Sequence, residues 1–214
     1  MNTQIRVLLA DDHPLVRSGI RTMLSAEEDM VLVAEATTGD EAQRLAVELN
    51  PHVLLLDLNM PGPPAIETLS YLRVHQPDVK VLVLTAYNDD AYVRGLVASG
   101  VAGYVLKDEA AEAVVRAIRA VVQGDSWFSR SIMEKLAHRA VDGPELSDEP
   151  ILTNRERETL NLMARGWDNA RIAAELNLAE QTIRNYVSRI YLALSLTSRA
   201  EAVIWARERG LGNE

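Results

Sequence analysis

An α/β fold, with a doubly wound parallel sheet of five strands followed by a small all-α domain, is the class that three observations predict. Five short apolar runs alternate with helical patterns across residues 1–125, and such alternation gives a parallel sheet covered on both faces. One of the runs, Val53-Leu54-Leu55-Leu56, is apolar without interruption, too short for a helix and suited to a strand buried on both sides. From residue 151 onward the strand signal stops and apolar residues recur at helical spacing.

The first strand is Ile5 to Ala10, ending in Asp11-Asp12. Pro14 suits the first turn of a helix, on which Leu15, Ile20, Met23 and Leu24 form the expected apolar face. Val31 to Ala36 reads as the second strand and Gly39 to Leu49 as the second helix. The Val53–Leu56 strand ends in Asp57, and a helix from about Ala65 to Val74 follows, closed by Pro77. Val79 to Leu84 is the fourth strand, ending at Thr85; a helix over about Asp90–Ala98 leads to Gly100. Val101 to Leu106 is the fifth, ending at Lys107, and a helix from about Ala110 to Val122 stops at Gly124.

Right-handed crossovers put every C-terminal strand end on one edge of such a sheet, the edge at which ligands bind. Asp11, Asp12, Asp57, Thr85 and Lys107 all fall there. Three carboxylates in one crevice repel one another unless a cation sits among them, and hard oxygen donors without cysteine favour Mg²⁺. Asp57 is then a candidate acceptor of a phosphoryl group as an aspartyl-phosphate, Lys107 a partner either for one of the carboxylates or for the incoming phosphoryl group, and Thr85 a hydrogen-bond partner for a phosphoryl oxygen. Each residue also has a plain structural account. Asp11-Asp12 can cap the first helix, Thr85 can be a turn residue, and Lys107 a surface charge.

These residues resemble the receiver domain of two-component response regulators, a flavodoxin-like fold. The match lies in Asp-Asp after strand one, Asp57 in LLLDLNMP, Thr85 after strand four, and Tyr104 and Lys107 around strand five. The resemblance implies that Asp12, Asp57 and the Asn59 carbonyl bind Mg²⁺, with Asp11 assisting. It also implies that Asp57 takes the phosphoryl group, Lys107 holds it, and Thr85 with Tyr104 forms the switch pair. Pro64-Ala65 and Asp108 depart from the family pattern, which often has Asp-Gly and Pro there. The first of these stiffens the loop after the site.

Residues 126–150 read as a linker with a short helix, about Ser131 to Ala140, followed by an acidic stretch broken by Gly143, Pro144 and Pro150. Trp127-Phe128 is expected to pack against the last helix of the front module, docking of the second module being the alternative.

In residues 151–214, Thr153-Asn154-Arg155-Glu156 is a capping box opening a helix with Leu160 and Met163 on its apolar face, ended by Gly166. Asn169 to Leu176 is a short helix with Ile172, Ala173 and Leu176 inward. A third begins near Glu180, with Ile183, Val187, Ile190 and Leu194 in one stripe and Arg184, Asn185, Ser188 and Arg189 opposite. Ser198 to Arg209 is the fourth. A short helix, a tight turn and a helix exposing Arg, Asn and Ser is helix-turn-helix grammar, and Arg and Asn read guanine and adenine in the major groove. A plain helical bundle with a solvated polar face has the same periodicity.

The segment from Leu152 to Ile190, followed by SRAEAV, is similar to the LuxR-type DNA-binding domain. A receiver before this domain resembles the NarL/FixJ-type transcriptional regulators. By that resemblance Arg184, Asn185 and Ser188 face bases, with Thr182, Tyr186 and Arg189 near the DNA backbone, and the fourth helix carries a dimer contact. Three positions depart from the family pattern: Ala179 for Ser at the start of the recognition helix, and Gln181 and Ala193 for Lys.

The net charge of −9 is unevenly spread. Residues 1–125 carry 10 basic and 18 acidic side chains, 126–150 carry 3 and 5, and 151–214 carry 9 and 8. An acidic front and a near-neutral back suggest modules with different partners. The absence of cysteine excludes disulfides and thiolate sites. No apolar run approaches 18 residues and no leader precedes the first strand, so a cytoplasmic protein without membrane contact is expected. The leading reading is a non-enzymatic regulator with a sensor histidine kinase, double-stranded DNA, a second copy of itself on activation and RNA polymerase as partners. The rivals are an Asp-nucleophile phosphotransferase or phosphatase, and a degenerate regulator acting through protein contacts.

Overall fold

The computed structural model describes residues 4–85, 96–97, 99–107, 111–129, 132–133 and 152–212. The chain forms two compact units, Met1–His138 and Arg139–Glu214. Outside the described residues lie nearly all of the helix expected over Asp90–Ala98, almost all of the linker helix expected over Ser131–Ala140, and the acidic stretch after it.

In the first unit the strands are β1 (Ile5–Ala10), β2 (Met30–Ala36), β3 (Val53–Leu56), β4 (Lys80–Thr85), β5 (Gly103–Leu106) and β6 (Trp127–Phe128). The helices are α1 (Pro14–Ser25), α2 (Gly39–Leu49), α3 (Ala65–His75) and α4 (Ala111–Gln123). The strands form one parallel sheet in the order β2-β1-β3-β4-β5-β6. Alternation along each strand divides the core between two faces. Val7, Leu9, Val53, Leu55, Leu82 and Val105 pack with Ile20 and Leu24 of α1 and with Val114, Ile118 and Val121 of α4. Every residue of β3 is fully buried, at about 1.5–3 kcal/mol per large apolar side chain.

Two expectations for this unit need correction. The sheet has six strands, because Trp127-Phe128 pairs in parallel with Gly103-Tyr104 rather than only packing beside α4. Gly103 makes this approach feasible: a Cβ there would lie 2.5 Å from the Trp127 carbonyl oxygen. A two-residue strand carries no periodicity of its own. Trp127 also packs against the α4 side of the core, with the Arg116 guanidinium 5.9 Å from its ring centroid. The second correction is Leu15, which is 89% exposed. At 100° per residue it lies about 140° around α1 from Ile20, off the stripe that Val16, Ile20, Met23 and Leu24 form.

The second unit contains α5 (Asn154–Ala164), α6 (Asn169–Leu176), α7 (Glu180–Ala193) and α8 (Arg199–Glu208). The capping box opens α5: Thr153 Oγ1 accepts from the Glu156 N–H, and Glu156 accepts from the Thr153 N–H. Asp168 caps α6, whose end turns through Asn177 in the left-handed region (φ 52°). Three residues, Asn177 to Ala179, then join α6 to α7, as a helix-turn-helix requires. Ile172, Ile183, Val187, Ile190, Leu160 and Met163 form the interior, while Leu176 is half-buried. Arg199 fastens the α5–α6 loop by donating to the Trp167 carbonyl and to Asn169 Oδ1, and Arg207 donates to the Ala164 carbonyl.

Candidate functional site

The order β2-β1-β3 places the reversal of winding between β1 and β3, where an open α/β sheet leaves a crevice at its C-terminal edge. Asp11 and Asp12 follow β1, and Asp57 follows β3. Ala10 pairs with Leu56, and the Asp57 N–H donates to the Ala10 carbonyl at 2.8 Å, so the two strand ends stand level. On the far side, the Lys107 N–H donates to the Thr85 carbonyl at 2.8 Å.

These ends bring a compact ionic cluster together. Lys107 Nζ lies 2.8 Å from both Asp57 Oδ2 and Asp11 Oδ2. Asp11 and Asp57 are almost fully buried, at 0% and 2% exposure. Burial pushes the Asp57 carboxyl above its ordinary value; Lys107 pulls it back, Asp11 adds to the rise, and the Asn59 backbone N–H favours the carboxylate. Burial also opposes the Lys107 charge, but Asp57 and Asp11 outweigh it and hold the ammonium above its ordinary value.

His13 was not singled out from the sequence, yet it belongs to the cluster. Its Nδ1 lies 2.8 Å from Asp12 Oδ1, 3.2 Å from Asp11 Oδ1 and 3.7 Å from Asp57 Oδ2. Its place directly after Asp-Asp was the available signal. His13 is also the N-cap of α1, without a side-chain cap bond, and its N–H donates to Asp11 Oδ1 at 2.8 Å. Asp11 is therefore not itself the N-cap residue, but its carboxylate satisfies the N–H of the residue that is, alongside its contact with Lys107.

Asp11, Asp12, His13 and Asp57 each offer a ligand atom within 4.8 Å of the others. Asp11 Oδ2, Asp12 Oδ1 and Asp57 Oδ2 are buried and lack well-aligned hydrogen bonds, although Lys107 Nζ and His13 Nδ1 stand at contact distance. Three carboxylates against one ammonium leave negative charge over. An oxygen-rich set of this kind fits a hard divalent cation such as Mg²⁺.

Thr85 and Tyr104 are both fully buried. Val83 pairs with Tyr104 and Thr85 with Leu106, which puts Thr85 and Tyr104 diagonally on the same face of neighbouring strands. Beyond the cluster, Gly39 and Gly62 let the 61–64 loop close on the start of α2: the Gly39 N–H donates to the Pro61 carbonyl at 2.8 Å, and a Cβ on Gly39 would meet the Pro63 oxygen at 2.8 Å.

In the second unit, Thr182, Arg184, Asn185, Tyr186 and Arg189 are half-buried on α7. Ser188, expected on the exposed side, is buried at 4% exposure. The buried arc widens along the helix to include Val187, Ser188, Ile190, Tyr191 and Leu192, so the open face belongs mainly to its first two turns. Ala179 caps α7 without a side-chain hydrogen bond.

A buried acidic crevice at the switch point of a doubly wound sheet, joined in one chain to a helix-turn-helix unit, defines the class. The chain belongs to the response regulators: residues 7–119 match the response regulator receiver domain, and residues 150–206 match the bacterial regulatory proteins of the luxR family. It is similar to the nitrate/nitrite response regulator protein NarP of Escherichia coli (strain K12), at 36% identity over 97% of each chain. It is 33% identical to the transcriptional regulatory protein DegU of Brevibacillus brevis, over 97% of this chain and 94% of DegU. Among solved structures, the response regulator RcsB of Salmonella typhimurium matches with a TM-score of 0.61 at 28% identity, over 95% and 98% of the two chains. An RcsB–DNA complex matches with a TM-score of 0.61 at 27% identity, over the same shares. Among the described residues, no helix is long and apolar enough to cross a membrane.

Proposed function

We propose that the chain is a phosphorylation-controlled transcriptional regulator in which Asp57 accepts a phosphoryl group from a sensor histidine kinase, and the phosphorylated form dimerises on paired DNA half-sites. The observation that carries this reading is the buried Asp57 carboxylate, 2.8 Å from Lys107 Nζ at the switch point of the sheet. Asp57 Oδ attacks phosphorus in line, and the bond to the donor nitrogen breaks. Asp11, Asp12, Asp57 and the Asn59 carbonyl are the residues that would hold Mg²⁺, which supplies charge neutralisation at the phosphoryl oxygens. Lys107 then exchanges its contact with the free carboxylate for one with the phosphoryl group. Thr85 donates its hydroxyl to a phosphoryl oxygen, and Tyr104, its diagonal neighbour, registers the change on β5.

The chemistry is performed on the protein itself, so the chain is not an enzyme acting on a separate substrate. Arg184 and Asn185 face bases, with Thr182, Tyr186 and Arg189 at the phosphates; the burial of Ser188 removes it from this set in the free protein. RNA polymerase is the downstream partner, and the cytoplasm is where chromosome and kinase output meet. The test is incubation with Mg²⁺ and a small phosphodonor, intact-mass measurement, and promoter affinity before and after. A mass increase of one phosphoryl group with a tightening of DNA binding is expected. Labelling without any DNA binding would favour the protein-contact rival.

A further inference from the structure

The first two turns of α7 hold their own polar network. Arg184 Nη1 donates to Glu180 Oε1 at 2.6 Å, and Arg184 Nε donates to Gln181 Oε1 at 3.1 Å. The Gln181 amide in turn donates to Asn185 Oδ1 at 3.4 Å. The two side chains best suited to read bases are thus tied to two neighbours one turn back on the same helix. We propose that Glu180 and Gln181 are specificity-determining residues of the DNA interface, holding Arg184 for a guanine and against capture by phosphate. This rests on the reading of α7 as a DNA-recognition helix.

The physical case begins with what an untied arginine does beside DNA. Phosphates are many and bases at one position are few, so a flexible guanidinium is readily taken up by the backbone, which carries no sequence information. Glu180 changes both terms. Its carboxylate offsets the Arg184 charge, lowering attraction to phosphate, and it fixes the fork. Two of the five guanidinium N–H donors are engaged, leaving three for a base edge. A carboxylate facing DNA is itself unfavourable unless its arginine gains the full bidentate contact with guanine O6 and N7. Specificity arises here as a difference of affinities, with a repulsive element built in.

The competing structural account is that Glu180 only favours the helix dipole and forms an ordinary i,i+4 ion pair, worth little. Glu180 is 45% exposed at its side chain and Arg184 25%, so the pair stands at the open face rather than in the core.

The experiment is selection of binding sites from random duplex DNA by the full-length chain, treated with Mg²⁺ and a phosphodonor. Binding is then measured on the selected site, on single-base variants, and on unrelated DNA. Wild type should require guanine at one position of each half-site, a requirement that Arg184→Ala abolishes. Glu180→Ala should reduce the guanine preference at that position about tenfold and tighten binding to unrelated DNA. Glu180→Gln, which keeps an acceptor without the charge, should restore much of the preference while leaving the tighter non-specific binding. A preference in Glu180→Ala within twofold of wild type overturns the proposal. So does a uniform loss on all DNA with a lowered melting temperature, the signature of a purely structural role. If wild type selects no sequence at all, the DNA-recognition reading itself fails. If it selects a site that Arg184→Ala leaves unchanged, only this proposal fails.

Discussion

The Lys107 ammonium stands 2.8 Å from Asp57 Oδ2, and burial sets the terms of that contact. Removing the ammonium leaves Asp57 and Asp11 facing one another with no cation between them. Lys107→Ala is therefore expected to lower the stability of the metal-free first unit by about 3–5 kcal/mol, the cost of an uncompensated buried charge. The variant should accept a phosphoryl group slowly and fail to dimerise. Urea melts and light scattering after phosphodonor treatment check the two halves. Dimerisation like that of wild type would remove Lys107 from the switch.

Asp57→Asn keeps the volume of the side chain and loses the nucleophile, so intact-mass measurement should find no acid-labile phosphate. The same variant has a pH signature. The folded protein raises the Asp57 carboxyl above its ordinary 3.8, so between 3.8 and the raised value it binds more protons than the unfolded chain. Wild-type stability from this group is thus greatest below 3.8 and is lost as pH rises through the folded value. Metal-free Asp57→Asn should be the more stable protein at pH 7, by a margin that shrinks as pH falls. A margin independent of pH would mean that Asp57 carries no burial penalty.

Mg²⁺ should oppose that penalty. At one hundred times its dissociation constant, a ligand specific for the folded state stabilises by about 2.7 kcal/mol. Thermal melts of wild type should show an increment of this order with Mg²⁺. Asp12→Asn, which takes the negative charge from a carboxylate 2.8 Å from His13 Nδ1, should cut the affinity by about tenfold or more. An undiminished increment in Asp12→Asn would place the cation elsewhere.

Gly103→Ala tests the sixth strand. Its new Cβ would fall 2.5 Å from the Trp127 oxygen and 2.7 Å from Leu82 Cδ1, an overlap expected to cost about 1–3 kcal/mol. The Trp127 N–H to Ala102 and Ser129 N–H to Tyr104 hydrogen bonds should weaken first. Amide exchange at Trp127 and Ser129 should accelerate while that of β1 and β3 holds. Unchanged protection would show that β6 yields to the methyl group without leaving β5.

The cluster was legible in the sequence because Asp11, Asp57, Thr85 and Lys107 each end an apolar run, and parallel topology sends all such ends to one edge. The failures share a different cause: each depended on packing at short range. Leu15 is apolar but lies off the α1 stripe, and only the angle around the helix separates it from Ile20. Ser188 sits one turn beyond Arg184, as a base contact should, but α7 sinks into the domain at that point. Trp127-Phe128 has too few residues to show alternation, and its pairing hangs on the missing side chain of Gly103. His13 carries no strand-end or periodicity signal of its own, and only the folded turn after β1 brings its ring to all three carboxylates.

The three positions at which α7 departs from the family pattern play different parts in the structure. Ala179 is an N-cap without a side-chain bond, so Ala179→Ser should stabilise the second unit by about 0.5–2 kcal/mol. Ala193→Lys adds a cation at the end of the helix and should steepen the salt dependence of DNA binding by about one phosphate contact per monomer. Gln181 is different: its amide holds Arg184 and Asn185, so Gln181→Lys exchanges an organising hydrogen bond for a charge. Ala179→Ser with Ala193→Lys should therefore raise the affinity of the unphosphorylated chain and reduce its dependence on phosphorylation, because a second copy supplies affinity through effective concentration rather than new contacts. Adding Gln181→Lys should raise affinity further on unrelated DNA but erode preference for the selected site. Titrations at low and moderate salt, with and without phosphodonor, separate these effects. If the double variant binds operator DNA no better than wild type at low salt, the cap and the missing cation do not limit binding, and contact with a protein partner becomes the better account of α7.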